Sequence, residues 1–152
     1  KYKKIFGVGP KGALISVFLL GVAWLLDRRI GRPAILATPA ALRCAALPFF
    51  GAGVFLHFWT MYTLRNWWQK DRLCTKGPYV FFRHPMYAAW ISFVAIGVVL
   101  MSNSWIILIW ALLLHPIWHR VVSEEEKMME KVFDGAYKTY AARTGRFIPR
   151  LF

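Results

Sequence analysis

Four apolar stretches run through the chain, and none carries the polar stripe that a helix on a water-soluble domain needs. They extend from Gly12 to Leu26, from Cys44 to Leu64, from Pro85 to Met101 and from Trp105 to Trp118. A helix that crosses the hydrocarbon core takes about 20 residues, with a range of roughly 17–25. Each stretch therefore reads as a membrane segment, the first being short and extendable at either end. Pro48, Gly51 and Gly53 lie near the start of the second, where a kink and a close helix approach are tolerated. Pro85 suits the first turn of the third, where its missing N–H costs nothing. Ser102, Asn103 and Ser104 form a short uncharged turn, so the third and fourth segments make a tight antiparallel hairpin. Pro116 predicts a kink near the end of the fourth.

Beyond Trp118 the pattern changes. Glu126, Met129, Phe133, Tyr137 and Tyr140 share one helical face, while Lys127, Glu130, Lys131 and Lys138 lie mostly elsewhere. This predicts a C-terminal amphipathic cytoplasmic helix, either continuing the fourth segment or lying on the membrane surface. Pro149 is expected to end it, with Phe147, Ile148 and Phe152 as interfacial anchors. The fold class expected is all-α: an integral membrane helical bundle with about four transmembrane segments. It forms a single domain over residues 1–152, with N-terminal membrane segments in 1–64 and the hairpin and tail in 65–152.

Composition agrees, with 58% apolar and 17% aromatic residues among 152. A net charge of +13, from 20 Lys and Arg against 7 Asp and Glu, would suggest nucleic acid for a soluble chain. Here the basic residues flank apolar segments, so orientation and anionic headgroups account for them and no nucleic-acid partner is expected. Five Lys and Arg lie between Arg65 and Arg83, seven follow Trp118, and the turn at Ser102 has none. The open end of the hairpin is thus assigned to the cytoplasm. Four crossings would also place Lys1, Lys3, Lys4 and Lys11 inside. The connection from Asp27 to Arg43, with its four arginines, then either violates the rule or the first two segments do not both cross. No small-residue cleavage site follows Leu26; Asp27-Arg28-Arg29 does, so the first segment reads as retained. The tryptophans Trp67, Trp68, Trp105 and Trp118 fit an interfacial belt.

Clustered charge at the hairpin's open end is the main chemical signal. Arg83 and His84 precede the third segment, and Glu124, Glu125 and Glu126 follow the fourth. Such groups are costly beside a bilayer unless they face water, each other or a ligand. Connectivity alone returns the glutamates to the Arg83 end. Arg83 offers a planar donor fork for a carboxylate, and His84 donates or accepts near neutral pH. Free N–H groups at the helix start favour an anion. The competing reading is of headgroup anchors and a solvated acidic turn held by Lys127, Lys131 or Arg120. His57, among Phe55, Phe58 and Trp59, reads better as an interhelical hydrogen-bonding residue than as a ligand. His115 and His119 share a face, yet no HExxH accompanies them, and Cys44 and Cys74 belong to no CxxC; no metal site is expected.

The ordered set Gly77-Pro78-Tyr79, Arg83-His84-Pro85-Met86-Tyr87, then Glu125, Glu126, Met129, Phe133, Tyr137, Tyr140 and Arg146-Phe147-Ile148-Pro149 resembles the isoprenylcysteine carboxyl methyltransferase family. Related bacterial phospholipid and small-molecule methyltransferases share the pattern. The likeness covers roughly Leu73 to Pro149. Met129 replaces the family's leucine. Asp134 takes a glycine position, with Gly135 one place later. Val121 stands where eukaryotic members carry an arginine, so Arg120 or His119 is the candidate replacement. The resemblance implies S-adenosylmethionine as cofactor, held without a dinucleotide-binding domain, and a lipophilic acceptor reached from the bilayer. It implies Arg83 and Glu125 as catalytic residues. The cofactor-binding set is Leu73, Tyr79, Arg83, His84, Pro85, Tyr87, His119, Arg120, Glu124 and Glu125. An acceptor tunnel is expected to open laterally between helices, near Gly51 and Gly53. Alternatives are an NADPH-dependent membrane reductase of the sterol-reductase kind and a non-catalytic membrane adaptor. The acceptor could be a carboxylate, an amine or a thiol. Oligomeric state is not legible, and the chain reads as a prokaryotic inner-membrane protein.

Overall fold

The computed structural model describes residues 8–67 and 72–150. Lys1, Lys3, Lys4, Trp68 and Phe152, assigned above to anchoring roles, lie outside the described residues. Four long helices are present: α1, Gly9–Ile30; α2, Pro39–Arg65 with a further turn to Trp67; α3, Pro85–Ser102; and α4, Trp105–Arg143. All four are apolar and long enough to cross a membrane, so the all-α membrane bundle expected from the pattern is the fold observed. Each helix outruns its apolar run. α1 continues into Asp27, Arg28 and Arg29 and ends on Gly31, whose φ of 86° makes it a left-handed cap.

The α3–α4 hairpin is the centre of the bundle. α2 packs against α3, and α1 packs against α4. The buried face of α4 is Ile107, Trp110, Ala111, Leu114, Trp118 and Val122, a spacing of threes and fours that makes one continuous stripe. It meets Ala88, Ala89, Ile91, Ala95 and Val99 of α3. Residues Ala89–Val94 of α3 form a π-helical turn, and Gly53 of α2 lies against it. A β-carbon at Gly53 would stand 2.7 Å from Val94 and 3.0 Å from the Ala89 carbonyl, so glycine permits this close approach. His57 accepts a hydrogen bond at Nδ1 from the Trp90 indole at 3.3 Å, linking α2 to α3 as expected.

The arginine-rich connection lies at the far end of the bundle. Residues 31–38 fold over the α3–α4 turn: Asn103 Oδ1 accepts from the backbones of Ile35 and Leu36, and Trp105 N donates to the Pro33 carbonyl. Both α1 and α2 therefore run the length of the bundle. Ser104 caps α4 by accepting from Ile106 and Ile107, and donates to the buried Asp27 carboxylate. α4 includes Pro116 and continues well past the apolar run that ends at Trp118. Residues 119–143 extend beyond the apolar run, so the amphipathic tail is a continuation of α4. The one non-helical residue within α4 is Asp134, at φ 41° and ψ −127°, and the helix ends at Arg143, before Pro149.

Candidate active site

The site forms where α3 begins and α4 leaves the membrane. Gly77, at φ 59°, opens a 3₁₀ turn over Gly77–Val80; a β-carbon there would meet Thr63 Oγ1 at 2.7 Å. Pro78 is buried beneath it. The Tyr140 hydroxyl lies within hydrogen-bonding distance of both the Tyr79 carbonyl, at 2.8 Å, and the Phe82 carbonyl, at 3.2 Å. The tail then returns alongside: Arg83 N donates to Gly145 O at 2.7 Å and His84 N to Arg146 O at 3.2 Å. These bonds hold Arg83 and His84 just before Pro85, the first residue of α3.

Glu126 is the hub of the charges. Its carboxylate takes Arg83 Nη1 at 3.1 Å, His84 Nε2 at 3.2 Å, and Arg146 through Nε at 3.0 Å and Nη2 at 2.6 Å. Burial by itself would raise its pKa. Hydrogen bonds from His84 and Arg146 and the charge of Arg83 overcome that, pulling it down to about 2. Its neighbour Glu125 meets the Tyr87 hydroxyl at 2.9 Å and stands 3.7 Å from His84 Nδ1. Burial dominates there and, with the nearby Glu126 charge, pushes the carboxyl up to about 7 against the Tyr87 hydrogen bond. Burial also lowers the pKa of His84, more than Glu126 restores it. The ring is neutral near pH 7: Nε2–H donates to Glu126, and Nδ1 is an acceptor facing Glu125.

A cleft opens over this cluster, lined by Leu73, Tyr79, Arg83, His84, Pro85, Tyr87 and Glu125. These are seven of the residues expected to bind cofactor. The structure does not bring the other three to it. Glu124 is exposed and paired with Lys127 at 2.8 Å. Arg120 is exposed. His119 is exposed, with its ring against Phe147 and its Nδ1 3.0 Å from Arg146. Arg146, which comes from the tail, is the arginine that pairs with Glu126 and His119 here. Leu64, Cys74, Met86, Met129, Tyr137 and Tyr140 complete the cleft wall. Of these, Met129, Tyr137 and Tyr140 were marked by their shared helical face; Leu64, Cys74 and Met86 carried no signal. Cys44 and Cys74 are both free thiols. The cleft has a cavity volume of about 100 Å³, below the roughly 300–1,000 Å³ of small-molecule sites, so a nucleoside-sized ligand would have to extend out of it or widen it. Among the described residues the buried Arg83 Nε has no partner.

A second, apolar groove of about 620 Å³ lies between α1 and α3, with Trp110, Leu114 and Trp118 of α4 as its floor. It shares Met86 and Tyr87 with the polar cleft. The expected lateral opening is thus not at Gly51 and Gly53: Gly51 is exposed, and Gly53 is filled by the π-helical turn. Trp118 is likewise no belt residue; it is buried on the groove floor.

Neither the comparison with curated proteins nor that with solved structures found a match. The family model for phospholipid methyltransferase matches residues 42–136. The matched region includes α3 and α4 as far as residue 136, with Arg83, His84, Tyr87, Glu125 and Glu126; α1 and Arg146 fall outside it. With well over half of its length matched, the chain belongs to the phospholipid methyltransferase family.

Proposed function

We propose that this protein transfers a methyl group from S-adenosylmethionine to the polar head of a lipophilic acceptor at the cytoplasmic face of a membrane. The observation that carries this reading is the junction at Met86 and Tyr87, where the polar cleft and the apolar groove meet. From Met86 to Val98 the groove follows α3 for about 18 Å at ~1.5 Å per residue. A lipid chain lying along it would keep its bilayer orientation and present its head at the cleft.

The residues present fit the cofactor. The Arg83 guanidinium, whose Nε is unpartnered, suits its carboxylate, and Glu125 with the His84 Nδ1 acceptor suits its ammonium or ribose hydroxyls. Tyr79, Met129 and Tyr140 provide apolar surface for adenine. When bound, the cofactor supplies an electrophilic methyl on a sulfonium; the bond to sulfur breaks with its electron pair as the bond to the acceptor forms. The protein's part is alignment, which supplies much of the rate in such a displacement. A carboxylate or thiolate acceptor needs no base. An amine must shed a proton, and the acceptors facing the cleft are Glu125 and His84 Nδ1; Glu124 points away. The Lys and Arg distribution supports the cytoplasmic assignment, the apolar groove supports a lipid acceptor, and the inner membrane of a prokaryote is the proposed setting.

Calorimetric titration of the purified protein with S-adenosylmethionine and with NADPH tests this, followed by transfer of labelled methyl to extracted lipid read by mass spectrometry. Binding of the former with label in a lipid product is expected. Binding of NADPH alone, or of neither, would overturn it.

A further inference from the structure

α1 lies outside the matched family region and carries no catalytic motif, yet its contacts converge on the site. Ser16 Oγ donates to Gly12 O at 2.8 Å and accepts the Trp118 indole N–H at 2.9 Å. The Ser16 carbonyl accepts the Trp110 indole N–H at 3.1 Å. One residue of α1 therefore satisfies both indoles of the groove floor, which have no water to turn to inside a bilayer. The Trp118 ring lies 4.6 Å from that of Tyr87, which also stacks on His84 at 5.7 Å and 13°. The Tyr87 hydroxyl meets Glu125. The backbone of α1 closes on the same two rings: a methyl at Gly12 would stand 2.7 Å from Trp118, and one at Gly9 would stand 2.9 Å from the Tyr87 oxygen.

We propose that α1 is part of the active site, with Ser16 and Trp118 acting as positioning residues that hold Tyr87, and through it Glu125, at the junction of cleft and groove. This rests on the methyl-transfer reading above. A polar residue between membrane helices ordinarily serves as glue, and glue affects stability alone. Here the hydrogen-bonded pair ends in ring contacts to a tyrosine whose hydroxyl holds a candidate catalytic carboxylate.

Gly9→Ala probes the contact with Tyr87 directly, because its added methyl crowds the Tyr87 oxygen. Gly9 is the first residue of α1 and precedes Pro10, where a β-carbon is disfavoured, so a loss of turnover counts only where it exceeds what the change in melting explains. The full chain, reconstituted in lipid nanodiscs, would be studied as Gly9→Ala, Ser16→Ala, Ser16→Thr and Trp118→Phe. Leu14→Ala, at an exposed lipid-facing position, serves as control. Melting temperature, the pH midpoint of S-adenosylmethionine binding, and turnover with a total lipid extract would be measured for each. Gly9→Ala, Ser16→Ala and Trp118→Phe are expected to lose turnover about tenfold or more, the scale of a small misplacement at a reacting centre. Their binding midpoints should move, and the losses should exceed what any change in melting explains. Ser16→Thr keeps the hydroxyl and should restore turnover. Losing Ser16 after Trp118→Phe should add little, because one interaction is removed twice. Parent-like turnover and midpoint in Gly9→Ala and Ser16→Ala, or losses that merely track melting, would overturn the proposal. A parent protein that binds no cofactor and labels no lipid overturns the methyl-transfer reading itself, and this proposal with it.

Discussion

Glu125 and Glu126 are adjacent, equally hidden at 5% and 8% exposure, and chemically opposite. A turn of about 100° around the helix gives Glu126 two arginines and a histidine, while Glu125 receives a tyrosine hydroxyl and little else. One carboxyl is held ionised down to about 2, and the other keeps its proton up to about 7. A saturated carboxylate is a poor place for a ligand, because its lone pairs are already engaged. An under-partnered one lining the same cleft as Arg83 is a good place. The comparison assigns Glu126 to holding the site together and Glu125 to meeting what enters it.

The largest test removes the hub. Glu126→Gln should leave Arg83 and Arg146 crowded without their counter-charge and cost about 3 kcal/mol, the low end for breaking a buried pair, since Arg146 is partly exposed. Thermal melts in detergent would measure this. A loss below about 1 kcal/mol would make Glu126 an ordinary surface pair.

Next, Arg83→Lys retains a charge near Glu126 but loses the planar fork and its Nε. Cofactor affinity should fall by about 2 kcal/mol, roughly 30-fold, with melting nearly unchanged. Unaltered affinity would return Arg83 to the cluster alone.

The two glutamates also separate by pH. The folded-state pKa of Glu126 is depressed, so its contribution is present above the ordinary value of 4.5 and is lost as pH falls toward about 2. That of Glu125 is raised, so the folded protein keeps a proton that the unfolded chain gives up, and its contribution to stability declines as pH rises from 4.5 to about 7. A ligand that needs the Glu125 carboxylate should gain up to about tenfold in affinity for each unit that pH rises toward that midpoint, levelling off above it. Glu125→Gln should abolish the inflection. Binding that tightens as pH falls would make the protonated carboxyl the group the ligand uses.

The smallest effect lies farther along the same helix. Asp134, at φ 41°, occupies a conformation glycine takes freely, and Asp134→Gly should stabilise the tail by about 1 kcal/mol, with the Glu125 and Glu126 profiles unmoved. A destabilised variant would show that the aspartate holds the break in place.

Much of this was legible because hydrophobicity and connectivity are local or topological signals. Four apolar runs named four helices, and an uncharged three-residue turn forced Arg83 and Glu125 to the same end. What could not be read depends on rotation and on distant partners. Nothing in the run of three glutamates says which faces inward; that is set by the stripe of α4 that meets α3. Arg146 is 20 residues from Glu126 and reaches it only because the helix breaks at Asp134 and ends at Arg143, both backbone events. The lateral opening was sought at Gly51 and Gly53 because small residues mark close approach, and the structure shows that approach filled by a neighbouring helix. α1 was the least informative segment in sequence, since its role lies in ring contacts and two indole hydrogen bonds.

The pairing of residues 83 and 84 with 145 and 146 also has a consequence for biogenesis. Chains emerge from the ribosome N-terminus first, so α1, α2 and α3 are delivered before the segment that carries Arg146. Closure of the polar end then waits for residues 145 and 146, and their pairing with 83 and 84 is a later step of assembly than delivery of the helices it joins.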